Sequence, residues 1–319
     1  LEEWDSVIPA RVIEQHKSIV SVATESETLN LPLIPKMPPL IVGDWVLLDD
    51  SRHFYRLLDR KTCFRRKAAG LEANWQLIAA NVDTAFIVSS LNDDFNLSRI
   101  ERYLALTNAA TVEPVVLLTK SDLVEHSEHW LEQVYKLVRA LSVIAINALD
   151  PQCAERLSDW LGLGKTVVFL GSSGVGKSTL TNTLLGQDLQ STGGIREDDS
   201  KGRQTKTSRS LVSLPNGGMV LDTPGMLELQ IADCQDGIAS TFADIQNLAA
   251  RCRFADCTHN SEPGCAVQKA VKAGEIDSRR LRNYQKLLKE EALNSASLAE
   301  KRAKDKALGK FYKKTLADA

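Results

Sequence analysis

No stretch of this chain holds about eighteen consecutive apolar residues, so no membrane-spanning helix is expected. The opening LEEWDSVIPARV is acidic and lacks the apolar centre of a secretory signal. Strong net charge is missing too: 39 basic residues face 41 acidic ones, for a formal charge of −2. Internal repeats and heptads are absent, which gives no sign of a coiled-coil or apolar dimer seam, and a monomer is expected. Without a secretory context, a cytoplasmic location is expected and thiols read as metal ligands more readily than as disulfides. One further absence becomes important below: no glutamine follows the chain's D-x-x-G motif.

What is present is ordinary globular material. The chain has 319 residues, 43% hydrophobic and 25% charged, enough for two or three domains. Its charge is unevenly spread. Residues 269–319 hold 14 Lys and Arg against 7 Asp and Glu, and the remainder holds 25 against 34. A basic end on a near-neutral protein points to a polyanionic partner there, or to a solvated helix face.

Texture divides the chain into three expected parts. Residues 1–70 contain short β-rich segments such as SVIPARVIEQ and SIVSVAT. They are interrupted by LPLIPKMPPL, which no helix tolerates. This predicts a small β-barrel, of the five-stranded oligonucleotide-binding (OB) type or the SH3-like type. KAAGLEANWQ reads as a linker. From 77 to 234, apolar runs (TAFIVSSL, EPVVLLTK, SVIAIN, KTVVFLG, GGMVLD) alternate with helical patterns, predicting an α/β domain with a mostly parallel, doubly wound sheet. Residues 235–319 read as mainly helical around a cysteine cluster, ending in a basic tail.

The strongest chemical signal is FLGSSGVGKSTL. Gly171, Ser172, Ser173, Gly174, Val175, Gly176, Lys177 and Ser178, followed by Thr179, match the phosphate-loop pattern G-x-x-x-x-G-K-[ST]. Glycines let successive N–H groups turn toward phosphate, and the following helix adds its own N-terminal donors. Lys177 would reach the β- and γ-phosphates, and Ser178 would ligate Mg²⁺. Three further motifs end apolar strands. Thr119-Lys120-Ser121-Asp122 offers a carboxylate, Asp122, that accepts both Watson–Crick N–H groups of guanine, with the Lys120 stem along the base; adenine lacks those paired donors. Asn147-Ala148 stands where a backbone N–H can meet guanine O6. Asp222-Thr223-Pro224-Gly225 would hold a Mg²⁺ water through Asp222 and sense the γ-phosphate through the Gly225 N–H.

The order is unusual, since the base reader precedes the phosphate loop. In a doubly wound sheet ligand groups collect at the carboxyl ends of strands whatever the chain order, so one permuted GTP site is predicted. Between phosphate loop and D-x-x-G lies STGGIREDDSKGRQTKTSRS, polar and without apolar periodicity, as a switch loop is. Thr205 or Thr207 would complete the Mg²⁺ shell. The water-orienting glutamine that many GTPases carry after D-x-x-G is replaced by Met226, and Gln204 is the candidate substitute. An ATP-using enzyme is disfavoured by Asp122.

Cys252-x₄-Cys257-x-His259-x₅-Cys265 supplies three thiolates and one imidazole, the closed ligand set of one structural zinc ion. His16, His53, His126 and His129 have no such company and read as structural or surface residues.

The sequence of motifs TKSD, GSSGVGKST, a threonine-bearing loop, DTPG and C-x₄-C-x-H-x₅-C resembles the ribosome small-subunit-dependent GTPase A (RsgA) family. GDWV, RRKAAG, IAANVD and EPGCAV extend the likeness over nearly the whole chain. The resemblance implies an OB-like barrel, a circularly permuted GTPase domain and a zinc domain. It implies GTP hydrolysis to GDP stimulated by the small ribosomal subunit, binding to that subunit's rRNA, and a role in its late maturation. Two departures stand out. The family's usual histidine before the switch threonines is Gln204 here, and Lys206 stands inside TKT. These keep a second reading open: a GTP-gated RNA- or ribosome-binding factor with weak hydrolysis, in a divergent paralogue.

Overall fold

The computed structural model describes residues 7–67, 75–92, 94–138, 140–186, 209–222 and 231–295, apart from the side chains of Lys67 and Asp222. Five strands open the chain: β1 (Ile8–Gln15), β2 (Ile19–Ala23), β3 (Thr28–Pro32), β4 (Trp45–Leu48) and β5 (Phe54–Leu57). All pair antiparallel, along the path β3–β2–β1–β4–β5. Alternate residues point inward, as the two-residue period of a strand requires. Ala10, Val12, Val20, Val22, Val46 and Leu48 fill a small core with Leu31 and Leu40. Trp45 and Tyr55 face out.

The GDWV motif marks where this strand-rich unit meets the rest. Gly43 has φ +93°, and a Cβ there would lie 2.0 Å from the carbonyl oxygen of Ala80. Asp44 is fully buried; it accepts the Ile41 N–H at 2.9 Å and is clasped by Arg60 at 2.7 and 2.8 Å. Gly43→Ala combines left-handed backbone with a backbone clash, and we expect it to cost about 3 kcal/mol or more. A urea-melt midpoint matching the wild type would refute this.

The segment read as a linker is bounded by two strands. β6 (Cys63–Lys67) and β7 (Trp75–Ala80) pair antiparallel, apart from the main sheet. Phe64 is buried in the core of the following region rather than in the barrel. One aromatic among basic residues carries no periodic signal, which is why FRRK looked like the end of the barrel.

Next come β8 (Thr84–Ser90), α1 (Leu97–Ala109), β9 (Glu113–Thr119), α2 (Glu128–Tyr135), β10 (Ser142–Ala145), α3 (Cys153–Arg156), β11 (Thr166–Leu170), α4 (Lys177–Leu185), β12 (Arg209–Ser213) and β13 (Met219–Asp222). Their order in the sheet is β10–β9–β8–β11–β13–β12. The first five run parallel, and only β12 is reversed. Every residue of β8 and β11 is buried, as expected of strands covered on both faces. The last two residues of the expected switch loop, Arg209 and Ser210, belong to β12. That strand also pairs with β1, Glu14 opposite Ser210 and Gln15 opposite Arg209, so one eleven-stranded sheet runs on into the N-terminal strands.

The C-terminal region has four helices among the described residues: α5 (Gln235–Thr241), α6 (Ala243–Ala249), α7 (Ala266–Lys272) and α8 (Ser278–Ser295). They share a core with α1 and α2 on one sheet face; α3 and α4 cover the other. Gly237 lets α5 approach α1, because a Cβ there would lie 2.1 Å from the Ala105 carbonyl oxygen. Glu101 of α1 is fully buried yet fully used. It accepts from Arg279 at 2.8 and 3.0 Å, Arg280 at 2.8 Å and Asn283 at 2.6 Å, and Arg280 reaches on to Asp244. An ion cluster this enclosed fixes the register of α8 on α1, since losing one partner strands a buried charge. Among the described residues no helix is long and apolar enough to cross a membrane.

Candidate functional site: a phosphate loop, a base loop and a thiol cluster

Between β11 and α4 the chain folds into a cradle of backbone donors. Gly171, Gly174 and Gly176 have φ of +156°, +77° and +96°. A Cβ on Gly171 would sit 2.3 Å from the Val88 carbonyl oxygen, so only glycine lets the loop leave the sheet there. Among the described residues, the N–H groups of 172–178 donate to no protein acceptor. Backbone donors are seldom left unpaired, and a run of them ahead of a helix is an anion site. Lys177, the first residue of α4, donates to the carbonyl of Gly171 at 2.8 Å and to that of Ser172. Burial pushes its ammonium down to about 8. Ser178 and Thr179 follow in the first turn of α4, half-buried beside the cradle.

The base-side motifs converge on the same edge of the sheet. Because β8, β9, β10, β11 and β13 are parallel, their carboxyl ends lie together. The Thr119 hydroxyl, at the end of β9, donates to the Val175 carbonyl at 2.6 Å and so reaches across β8 to the phosphate loop. Lys120 takes φ +60°, uncommon outside glycine, and turns the chain into a 3₁₀ turn, Ser121–Leu123, that carries Asp122. The Asp122 carboxylate is exposed and has no partner among the described residues. Asn147 shapes the adjoining turn: its side chain accepts the Leu149 N–H at 3.0 Å and its carbonyl accepts the Asp150 N–H at 3.1 Å. Ala148 lies 3.8 Å from where a Cβ of Gly176 would stand, and its N–H has no acceptor among the described residues. Asp222 ends β13 at the same edge. Gln204, Thr205, Thr207, Gly225 and Met226 lie outside the described residues.

A second cluster lies in the loop between α6 and α7. The ligand atoms of Cys252, Cys257, His259 and Cys265 all fall within 4.8 Å of one another. Cys252 Sγ and Cys265 Sγ are 3.8 Å apart, and His259 Nδ1 is 3.7 and 3.5 Å from them. A tetrahedral ion with bonds of ~2.3 Å to sulfur and ~2.0–2.1 Å to nitrogen has edges of about 3.4–3.8 Å; the separations among Cys252, His259 and Cys265 match these, and Cys257 Sγ lies within 4.8 Å of all three. The loop around them is tied down independently. Glu262 accepts the Thr258 hydroxyl and the N–H groups of Thr258 and Asn260, and these bonds, the hydroxyl's foremost, hold its carboxyl down to about 2. Gln268 and Gln285 donate to the His259 carbonyl.

Residues 57–232 match the family model described as RsgA GTPase. The chain belongs to the RsgA GTPase family. Over 318 residues it is 52% identical to the small ribosomal subunit biogenesis GTPase RsgA 2 of Vibrio vulnificus, covering all of this chain and 91% of that one. It is 48% identical over 302 residues to RsgA of Mesorhizobium japonicum, covering 92% and 87%. Among solved structures, YjeQ from Thermotoga maritima superposes with a TM-score of 0.66 at 26% identity, covering 89% of this chain and 98% of that one. YloQ, described as a circularly permuted GTPase, superposes at 0.61 with 24% identity over 89% and 94%, and supports the fold. The chain is therefore a circularly permuted P-loop GTPase, and RsgA-family membership implies Mg²⁺ with its nucleotide.

For an RsgA GTPase the depressed Lys177 predicts a pH dependence. Bound phosphate favours the charged ammonium, while the empty site begins to lose its proton near pH 8. GDP affinity is then flat below about pH 8 and falls above it, by at most about tenfold per pH unit. Lys177→Arg keeps its charge, so its affinity should lack this component of the decline, any titration of the base being common to both proteins. Fluorescent-GDP titrations from pH 7 to 9 check it; parallel curves would contradict the assignment. Sequence reading missed Thr183, on α4, which touches the base loop. It is one of three threonines and a serine in the same helix, and nothing in the sequence sets it apart from the others.

Proposed function

We propose that this chain hydrolyses GTP to GDP and phosphate on the small ribosomal subunit during its late maturation, in the cytoplasm and as a monomer. The observation that carries the reading is the Thr119–Val175 hydrogen bond. It joins the base-reading strand end to the phosphate cradle and makes one nucleotide site of motifs that the chain presents in permuted order. In that site the N–H groups of Gly171–Thr179 and the Lys177 ammonium hold the phosphates. Ser178, Asp222 and Thr205 or Thr207 hold Mg²⁺. Thr119, Lys120, Asp122, Asn147 and Ala148 hold guanine. Gln204 orients the attacking water, with Lys177 and the Gly225 N–H on the γ-phosphate. A glutamine can orient water but is no general base, so turnover is slow until the subunit completes the site.

One zinc ion on Cys252, Cys257, His259 and Cys265 is structural, since four protein ligands leave no open position. The division into 1–70 (OB-like barrel), 77–234 (GTPase) and 235–319 (zinc-binding helices with a basic end) follows the same reading. The barrel, the zinc domain and the basic end contact rRNA mainly through phosphates, so binding weakens steeply with salt. The test is GTP turnover by the purified protein with and without small subunits, at fixed salt and Mg²⁺. Strong stimulation is expected. Tight GTP binding without stimulation would overturn the reading in favour of a GTP-gated binding factor.

A further inference from the structure

The base loop has a second tie to the phosphate side, independent of Thr119. Thr183 sits on α4, in the second turn beyond Lys177, and its hydroxyl donates to the carbonyl of Ala148 at 2.7 Å. Among the described residues that carbonyl has no other donor. Ala148 is buried, so without Thr183 the oxygen is left in a site with little water to replace the bond. On its other side Ala148 packs at Gly176, the last glycine of the cradle. Among the described residues its own N–H has no acceptor, at the sheet edge where the Asp122 carboxylate likewise has no partner.

We infer that Thr183 is a positioning residue for the base. By holding the Ala148–Leu149 peptide through its carbonyl, it fixes the Ala148 Cα, from which the preceding N–H, that of Ala148, is aimed at the 6-oxo group of the purine. It also fixes the distance from that donor to the phosphate cradle, because Thr183 and Lys177 belong to one rigid helix. The inference rests on the guanine-binding reading above and adds to it a specificity-determining residue outside the sequence motifs. Asn147 supports the same peptide from the other end by closing its turn on Leu149. The base loop is thus held at one end by its own side chain and at the other by the phosphate helix.

The test compares wild type, Thr183→Val and Thr183→Ser by stopped-flow release of fluorescent GDP, with ADP competition and thermal melting alongside. Valine keeps the shape and removes the hydroxyl; serine restores it. Release should be about 3–10-fold faster in Thr183→Val, the worth of one buried hydrogen bond, and within about twofold of wild type in Thr183→Ser. In subunit-stimulated turnover the KM for GTP should rise in Thr183→Val with kcat nearly unchanged, a split that general loosening of the fold does not produce. Wild-type release in Thr183→Val, or a serine variant as fast as the valine one, would overturn the inference. Failure of wild type itself to prefer GDP over ADP would instead remove the guanine reading on which it rests.

Discussion

Asp122→Asn should lower GTP affinity by about 10²–10⁴-fold, because two charge-assisted hydrogen bonds to the base are lost or reversed. The same variant should gain xanthosine triphosphate. Xanthine carries an oxygen where guanine carries its amino group, and the new amide donates to it. The carboxylate is exposed and unpartnered among the described residues, so removing its charge breaks no protein contact, and the melting temperature should hold. Competition titrations with the two nucleotides check the exchange. Unchanged GTP affinity would remove Asp122 as the base reader.

Stripping the metal is the other large effect expected. Elemental analysis should find one zinc per chain, and Cys252→Ser should abolish it. Structural zinc supplies ~10–16 kcal/mol in isolated finger peptides. Here the loop also has the Glu262 clamp and the glutamine contacts, so part of its order survives. We expect a loss of at least ~3 kcal/mol, a fall of roughly 4–5 °C or more in melting temperature for a chain of this size melting as one unit. Amide exchange should rise first across 252–268, because Cys265 also caps α7 by accepting the Gln268 N–H at 3.3 Å. A metal-free protein with wild-type exchange there would end the structural-zinc assignment.

Both predictions rest on residues that were readable from sequence, for a physical reason. The T-K-x-D turn and the thiol cluster are each local: the residues of a motif lie within one short stretch, and their spacing is the signal. The buried strands were legible for a related reason, since a run such as TAFIVSS has nowhere to go but the middle of a sheet. Contacts between distant segments left no such mark. Glu101, in SRIERYL, reads as a solvated charge, yet it is fully buried against Arg279, Arg280 and Asn283, some 180 positions away. Phe64 and Thr183 escaped in the same way. Each is an ordinary residue whose meaning lies in a partner the local pattern does not name. The pairing of β1 with β12 could not be read at all, because edge pairing depends on backbone groups every residue carries.

That pairing also sets a schedule. Synthesis completes β1 at Gln15, whereas the strand that covers its far edge begins at Arg209. At ~5–20 residues per second, the roughly 200 residues between them take about 10–40 s to appear. β2 and β4 pair with β1 early, and only the second edge of Glu14 and Gln15 waits. The nascent chain therefore makes its base-reading strands before its phosphate loop, and the β1–β12 seam can form only after both.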